Sequence, residues 1–406
     1  MRDANPINAD PLAPGLVPRL EEQGYAPPQV ELRRAWVEEQ TSSNLCHVGA
    51  HSIASEEMRG NIENPIGAAQ MPLGVAGPLA LRGDRAQGTF YVPLATTEGA
   101  LVRSYERGMV ALTRSGGVAA HVYTDENRIT PVFPFEDVGA AHAFAATVQR
   151  DFEALRTAAE ATTRHGKLLR LEAYPIGRQV LVNFCYSTAD AQGMNMIAKA
   201  TDEACRWLVE HDRVQRYHIF SGASSEKRAG GFLLPGGKGK KVVAGARLSA
   251  RHARLYLHAA PAQLFEVWHH TVLGHIQANI VGFNAHCANG LAALFIACGQ
   301  DVANVANAAI GITNFEVTDE GDLYASITLP SLTVATVGGG TGLGTGRECL
   351  EMLGCAGAGK AAKFAEIVAA TLLAGEISMA AAIASGEFVE AHETYGRNRP
   401  PDESAP

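Results

Sequence analysis

The most legible hydrophobic pattern lies in the middle of the chain. Phe144, Val148, Phe152 and Leu155 recur at i, i+4, i+8 and i+11, the spacing of one face of an α-helix. Val180, Val182, Phe184 and Tyr186 alternate, which predicts a strand over 179–187 with one face buried. Another strand is predicted over 168–174, ended by Pro175-Ile176-Gly177, and helical spacing resumes over 194–209. Residues 117–135 read as strand with a turn at Asp125-Glu126-Asn127, and 217–220 as a short closing strand.

From about 131 to 219 the order is therefore β-α-β-β-α-β, the split βαβ pattern of a ferredoxin-like domain. Elsewhere, short helices are predicted over 31–39 and 55–63, and longer ones over 248–279, 287–297 and 364–391. Strands are predicted over 323–329 and 332–337. The first 28 or so residues, rich in Pro, Asn and Asp, and the final RPPDESAP read as flexible ends. The expected fold class is α+β.

The 406 residues are 47% hydrophobic and 19% charged, with a net charge of -8, so a globular protein with a sizeable core is expected. That charge argues against nucleic acid or an anionic membrane as the main partner. The one basic cluster, Lys238 to Lys241, reads either as a solvated turn or as a phosphate contact. The N-terminus has no signal-peptide pattern, and no apolar run is expected to reach the ~20 residues of a bilayer span. Seven scattered cysteines without a CxxC pair point to a reduced cytoplasm and away from a zinc ribbon.

Several local segments carry possible chemistry. Residues 63–79, ENPIG followed by MPLGVAGPL, read as a compact, conformationally fixed loop. In ATTEGALVRS, Thr96 or Thr97 reads as the cap of a helix whose first turn holds Glu98. In DAQGMNM, Gly193 permits close backbone approach and the helix N-terminus suits a phosphate; a tight βα turn is the plainer reading. The Gly338–Gly344 run suits a main chain laid against a ligand, or a flexible linker.

Taken together, ENPIG…PLGVAGPL, ATTEGALVRS, DAQGMNM, GFNAHCAN…ACGQD and TVGGGT resemble, in order and interval, the motifs of the hydroxymethylglutaryl-CoA reductase family from about 60 to 395. The GGGT string is similar to the class I branch, in a form without that branch's membrane anchor. The resemblance implies an oxidoreductase that reduces 3-hydroxy-3-methylglutaryl-CoA to mevalonate and free CoA, in two steps, with NADPH (NADH possible) and no metal. It implies a cytoplasmic homo-oligomer with the active site at a dimer interface, serving the mevalonate route to isoprenoids. It also implies a large CoA- and substrate-binding domain (48–130 and 231–395) holding an inserted ferredoxin-like NAD(P)-binding domain (131–219). A catalytic-lysine loop (220–230), an N-terminal segment (1–47) and a tail (396–406) complete this expected division.

By resemblance, Lys227 would polarise the thioester carbonyl and Glu98 would protonate the aldehyde oxygen. Asp301 would sit between them; on its own it reads as a helix N-cap. His392 would protonate the CoA thiolate, a task suited to imidazole with its ordinary pKa of about 6.5. Arg128, Ser221, Arg228, His286 and Asn289 would bind substrate. Asp190, Gly193, Met194, Asn195, Gly339, Gly340 and Thr341 would bind the cofactor, and Arg397 and Arg399 are candidates for its extra phosphate.

The lysine loop departs from the family pattern. SGASSEKRA is one residue shorter than SGNYCTDKKPA, Glu226 stands for the acid and Arg228 for the second lysine. Where the family places a further lysine against the substrate carboxylate, this chain has Trp268-His269-His270-Thr271. The expectation is that acyl specificity has drifted while the reductive apparatus is kept. The alternatives are a reductase of another acyl-CoA, an inactive CoA- or nucleotide-binding relative, and a metal hydrolase suggested by fourteen histidines. His47 and His51 have i, i+4 spacing, but HExxH is missing.

Overall fold

In the computed structural model, which describes residues 17–18 and 24–389, the chain is an α+β protein whose named strands pair antiparallel. It divides into two compact units, 1–71 and 72–406.

The first unit holds α1 (Pro27–Thr41), α2 (Cys46–Gly49) and a 3-10 turn (Ser55–Met58). Pro27 suits the first turn of α1, where its missing N–H is not needed. The helix expected over 55–63 stops at Met58, and Gly60 turns left-handed at φ +83°. The ENPIG loop is fixed as expected. The buried Arg33 guanidinium donates to the carbonyls of Pro65 and Gly24. Gly67 lies so close to Val48 that a Cβ there would meet its carbonyl oxygen at 2.0 Å.

The second unit opens with a hairpin, β1 (Leu73–Arg82) and β2 (Gln87–Ala95), followed by α3 (Leu101–Arg114). PLGVAGPL is thus strand rather than loop; its Gly-Pro step is absorbed by a bulge between Ala76 and Leu79. Then come β3 (Ala119–Ile129), β4 (Val132–Pro134), α4 (Val138–Thr147), a 3-10 turn, α5 (Phe152–Glu160), β5 (Lys167–Ile176), β6 (Gln179–Ser187) and α6 (Met194–Glu210). The rest is β7 (Gly239–Leu248), α7 (Ala250–Leu257), α8 (Pro261–Gln277), α9 (Cys287–Ala297), α10 (Val305–Ala308), β8 (Ile312–Val317), β9 (Leu323–Leu332), α11 (Gly344–Met352) and α12 (Ala361–Ser385).

One sheet runs β4-β6-β3-β7-β9-β8, with β5 on β6. β3 joins its two halves: Ala119–Glu126 pairs with β7, Asn127–Ile129 with β6. The turn expected at Asp125-Glu126-Asn127 is absent because each polar side chain has a partner, two of them on other strands of the sheet and one in the loop before α6. Asp125 pairs with its cross-strand neighbour Lys240 at 2.8 Å, Glu126 with Arg170, and Asn127 donates to the Gln192 carbonyl.

Each half of the sheet has its own core. Phe144, Val148 and Leu155 are buried with Val180, Val182, Phe184 and Tyr186 in one, as their periodicity predicts. The closing strand expected at 217–220 is reduced to a single bridge, His218 to Val132. The other core surrounds α12, which packs on α3, β7 and β9. The segment 361–385 is long and apolar enough to span a membrane, contrary to expectation, but most of it is buried inside the protein. A helix apolar all round belongs in such a core.

Two further expectations fail for local reasons. The helix expected over 248–279 breaks where His258 turns left-handed and Pro261 starts α8. The strand expected over 332–337 ends at Leu332, because side chains take the backbone that follows. Gln300 bonds both the N–H and the carbonyl of Ala335, at 2.8 and 2.9 Å.

Gly108 on α3 has a role no periodicity shows: a Cβ there would stand 1.9 Å from the Ala374 carbonyl on α12. Gly108→Ala is expected to cost about 1–3 kcal/mol through overpacking. An unchanged urea midpoint would show that the two helices do not need this close approach.

Candidate active site

The loop between residues 221 and 230 carries the candidate lysine. Ser225 and Lys227 both take left-handed backbone conformations, at φ 55° and 54°, an uncommon state for side chains of this kind. Lys227 Nζ lies 2.7 Å from Asp301 Oδ2, and both side chains are partly exposed. An exposed ion pair adds little stability; its value here is to hold an ammonium in a defined place. Asp301 also accepts the Ala303 N–H at 3.1 Å, so it is an N-cap and a lysine partner at once.

Beneath the loop lies Lys238, whose side chain is fully buried. Its ammonium pairs with Glu226, donates to the Arg128 carbonyl at 3.3 Å and reaches Met194 Sδ at 3.1 Å. Burial pushes its pKa down, against the pull of Glu226. Lys240 is also buried, on Asp125. Lys238 to Lys241 is therefore neither a solvated turn nor a free phosphate contact; two of its lysines are internal counter-charges at the start of β7.

Other motifs converge on this place. Gln192 reaches Glu226 at 3.5 Å. The Asp190 carbonyl accepts the N–H groups of Thr336 and Val337, which joins the DAQGMNM turn to the TVGGGT run. The Asp190 carboxylate accepts the N–H groups of Gly359 and Ala361; burial pushes its pKa up, but these bonds outweigh that and hold it below the usual range. Gly193 caps α6 at φ 78°, Asn195 is exposed in the first turn, and Met194 is occupied by Lys238. The Gly-rich run is not a linker: residues 339–342 form a 3-10 turn, and Thr341 Oγ1 donates to Gly338 O. Gly340 is pressed against Gly299 (a Cβ on Gly299 would meet Gly340 O at 2.3 Å), which sets this run beside the loop of Asp301. Gly338 and Gly339 face open space.

A second cluster lies elsewhere. Glu98 is not in a helical first turn, since α3 starts at Leu101 after Ala100 in the left-handed region. Thr96 instead accepts the Glu98 N–H in a tight turn. Asn289 Nδ2 lies 3.2 Å from both Glu98 oxygens. One turn earlier, His286 Nδ1 is 3.1 Å from the buried Glu376 carboxylate. Glu98, His286 and Asn289 line a cavity of about 900 Å³ with Arg103, Arg107, His258 and Glu387. Glu387 ties the end of α12 down, with Arg107 at 2.9 Å and His258 at 2.6 Å.

Asn289 lies in the first turn of α9 and Asp301 follows its end; with 11 residues the helix is about 16 Å long. Among the described residues Lys227 pairs with Asp301 and Glu98 with Asn289, and no hydrogen bond or ion pair joins the two pairs. Arg128 is buried over the Phe232 ring at 4.4 Å and donates to the Phe232 carbonyl; burial lowers its pKa. Ser221 donates to the Thr130 carbonyl, and Arg228 to the Glu226 carbonyl within its own loop. His269 is exposed and stacks on Phe265. His392, Arg397 and Arg399 lie outside the described residues.

Sequence reasoning missed Lys238 and Glu376. The hint for Glu376 was an acid inside a largely apolar helix, where an uncompensated charge is costly.

An α+β framework that presents an ammonium held by a carboxylate, with a second carboxylate beside a deep cavity, defines an enzyme suited to carbonyl polarisation and proton transfer. The fold is shared with the class II 3-hydroxy-3-methylglutaryl-CoA reductase of Streptococcus pneumoniae bound to NADPH: TM-score 0.68, 18% identity, 88% of this chain and 97% of that one. At sequence level, residues 29–397 match the hydroxymethylglutaryl-coenzyme A reductase family profile. The chain is 42% identical to the 3-hydroxy-3-methylglutaryl-coenzyme A reductase of Methanocaldococcus jannaschii, over 90% of this chain and 92% of that protein. It is 43% identical to the one of Aeropyrum pernix (93% and 92%), and 38% to that of Xenopus laevis, covering 83% of this chain and 39% of that protein. This chain belongs to the hydroxymethylglutaryl-coenzyme A reductase family.

Lys238→Met is expected to destabilise the fold by about 3–5 kcal/mol, because it strands Glu226 without its buried partner. Adding Glu226→Gln should recover part of the loss. Equal urea stability of Lys238→Met and the unaltered protein would remove the pair from the account.

Proposed function

We propose that this chain reduces 3-hydroxy-3-methylglutaryl-CoA to mevalonate and free CoA in two steps, with NADPH preferred to NADH. The observation that carries this reading is the Lys227–Asp301 pair at 2.7 Å, on a loop bound to the DAQGMNM and TVGGGT turns. Reduction of a thioester carbonyl creates an oxyanion, and Lys227, placed by Asp301, meets it. Glu98, steadied by Asn289, supplies the proton to the aldehyde oxygen. His392 is the proposed acid for the departing CoA thiolate. Arg128, Ser221, Arg228 and His286 complete the substrate site.

The nicotinamide supplies hydride when bound. Gly193, Met194, Asn195, Gly339, Gly340 and Thr341 would hold it, with Asp190 joining their two loops. The donor set fits such a group: the exposed start of α6 suits a phosphate, and open space over Gly338 and Gly339 admits a ligand against the main chain. The extra phosphate of NADPH is assigned to Arg397 or Arg399. The separate core around β4, β5 and β6 supports reading 131–219 as a ferredoxin-like cofactor domain inserted in the substrate domain.

The distance along α9 supports a site completed by a second copy, one protomer giving Lys227 and Asp301 and the other Glu98. Exposed Leu273 and Ile276 on α8 offer apolar surface for that contact. The class I-like reading rests on the GGGT string; the structural neighbour is a class II enzyme. Seven unpaired cysteines agree with a cytoplasmic setting.

A second reading, reduction of a different acyl-CoA, is favoured by the altered carboxylate-binding positions. Arg228 is bonded within its own loop, and His269 and His270 stand where the family has lysine.

NADPH or NADH oxidation, followed at its absorbance band with several acyl-CoAs, tests both readings. Turnover is expected with hydroxymethylglutaryl-CoA, and Lys227→Ala should lower kcat by about 10²–10³-fold. A far better rate with an acyl group lacking the free carboxylate would establish the second reading. No oxidation with either cofactor would overturn both.

A further inference from the structure

We propose that Glu376, on the buried helix α12, is a positioning residue that holds His286 as the Nδ1–H tautomer and keeps Nε2 as an acceptor at the wall of the Glu98–Asn289 cavity. The proposal rests on the reductase reading for its consequence, but not for its geometry.

Glu376 is held from several sides. Its Oε1 accepts the His286 N–H at 2.8 Å and faces Nδ1 of the same residue at 3.1 Å. Its Oε2 accepts the Ala285 N–H at 2.5 Å. Burial pushes its pKa up, but the hydrogen bonds from the His286 ring and from the Ala285 and His286 N–H groups act against burial, and the net direction is down, toward the ionised carboxylate. An ionised carboxylate only accepts, so Nδ1 must carry the proton. In the neutral ring Nε2 is then the acceptor. That nitrogen is buried and has no hydrogen-bond partner among the described residues. A buried acceptor left unpaired is costly, and costs of this kind gather where a ligand later supplies the missing donor.

The ring cannot turn away. Tyr105 of α3 stacks on it, with centroids 5.3 Å apart. Tyr105 is wedged between Gly290 of α9 and Gly375 of α12; a Cβ on either would lie 2.2 or 2.4 Å from its ring or hydroxyl. These glycines neighbour Asn289 and Glu376 respectively, so three helices clamp one imidazole. His286 and Asn289 are three residues apart, one helical turn, and share a face. Glu376 therefore reaches the cavity through His286, beside the Asn289 that steadies Glu98.

The test is the tautomer of His286, read from long-range proton–nitrogen spectra of protein labelled with ¹⁵N-histidine, with His286→Asn to assign the signal. Nδ1 is expected in the protonated range and Nε2 in the lone-pair range; Glu376→Gln should abolish this pattern, and Glu376→Asp should keep part of it. In the NADPH assay Glu376→Gln should lower kcat by about 10- to 100-fold, part of the 10²–10⁴-fold typical of a placed acid–base group, with KM for NADPH unchanged. A wild-type ring protonated mainly at Nε2, or spectra and kcat unmoved in Glu376→Gln, would overturn the proposal. If Glu376→Gln does not fold, as thermal melting would show, the wild-type spectrum decides. A wild-type protein inactive with hydroxymethylglutaryl-CoA would defeat the reductase reading, while the tautomer would still judge this one.

Discussion

A lysine side chain with no exposed surface must have a counter-charge, and the candidate active site is arranged around that requirement at Lys238. Its ammonium meets Glu226, the residue just before the candidate catalytic lysine, and also touches Arg128 and Met194. Four segments distant in sequence therefore share one buried charge. The strained backbone of Ser225 and Lys227 is held by this anchor from below and by Asp301 from the side.

The same economy recurs in α12. It carries two buried acids, Glu366 and Glu376, inside an apolar helix. Glu366 accepts the N–H groups of Arg85 and Ala86 and so fixes the turn between β1 and β2. Glu376 does this for the start of α9 and for His286. Each carboxylate satisfies backbone groups that would otherwise be buried unpaired. The core helix thus sets the geometry of two surface loops as well as filling the interior.

Much of the middle of the chain was legible because burial there follows simple periods. Val180 to Tyr186 alternate on a strand, and Phe144, Val148 and Leu155 are buried together although α4, a 3-10 turn and α5 divide the single helix expected there. Legibility failed where side chains, not periodicity, decide the backbone. Asp125, Glu126 and Asn127 look like a turn until Lys240, Arg170 and Gln192 are in place. Residues 333–337 look like a strand until Gln300 and Asp190 take their hydrogen bonds. Lys238 to Lys241 look solvated until their acids arrive from the lysine loop and β3.

By itself the sequence determined the family, most of the elements and the chemical types at the candidate site, because motifs and periods are local properties of a chain. It named Lys227, Asp301, Glu98 and Asn289 without their grouping. Only the tertiary structure decided that Lys227 pairs with Asp301 while Glu98 pairs with Asn289, at the far end of α9. It alone revealed Lys238 and Glu376 as the buried charges behind each pair. The reason is physical: a buried charge is tolerable only beside its partner, and these partners are 12 and 90 residues away along the chain.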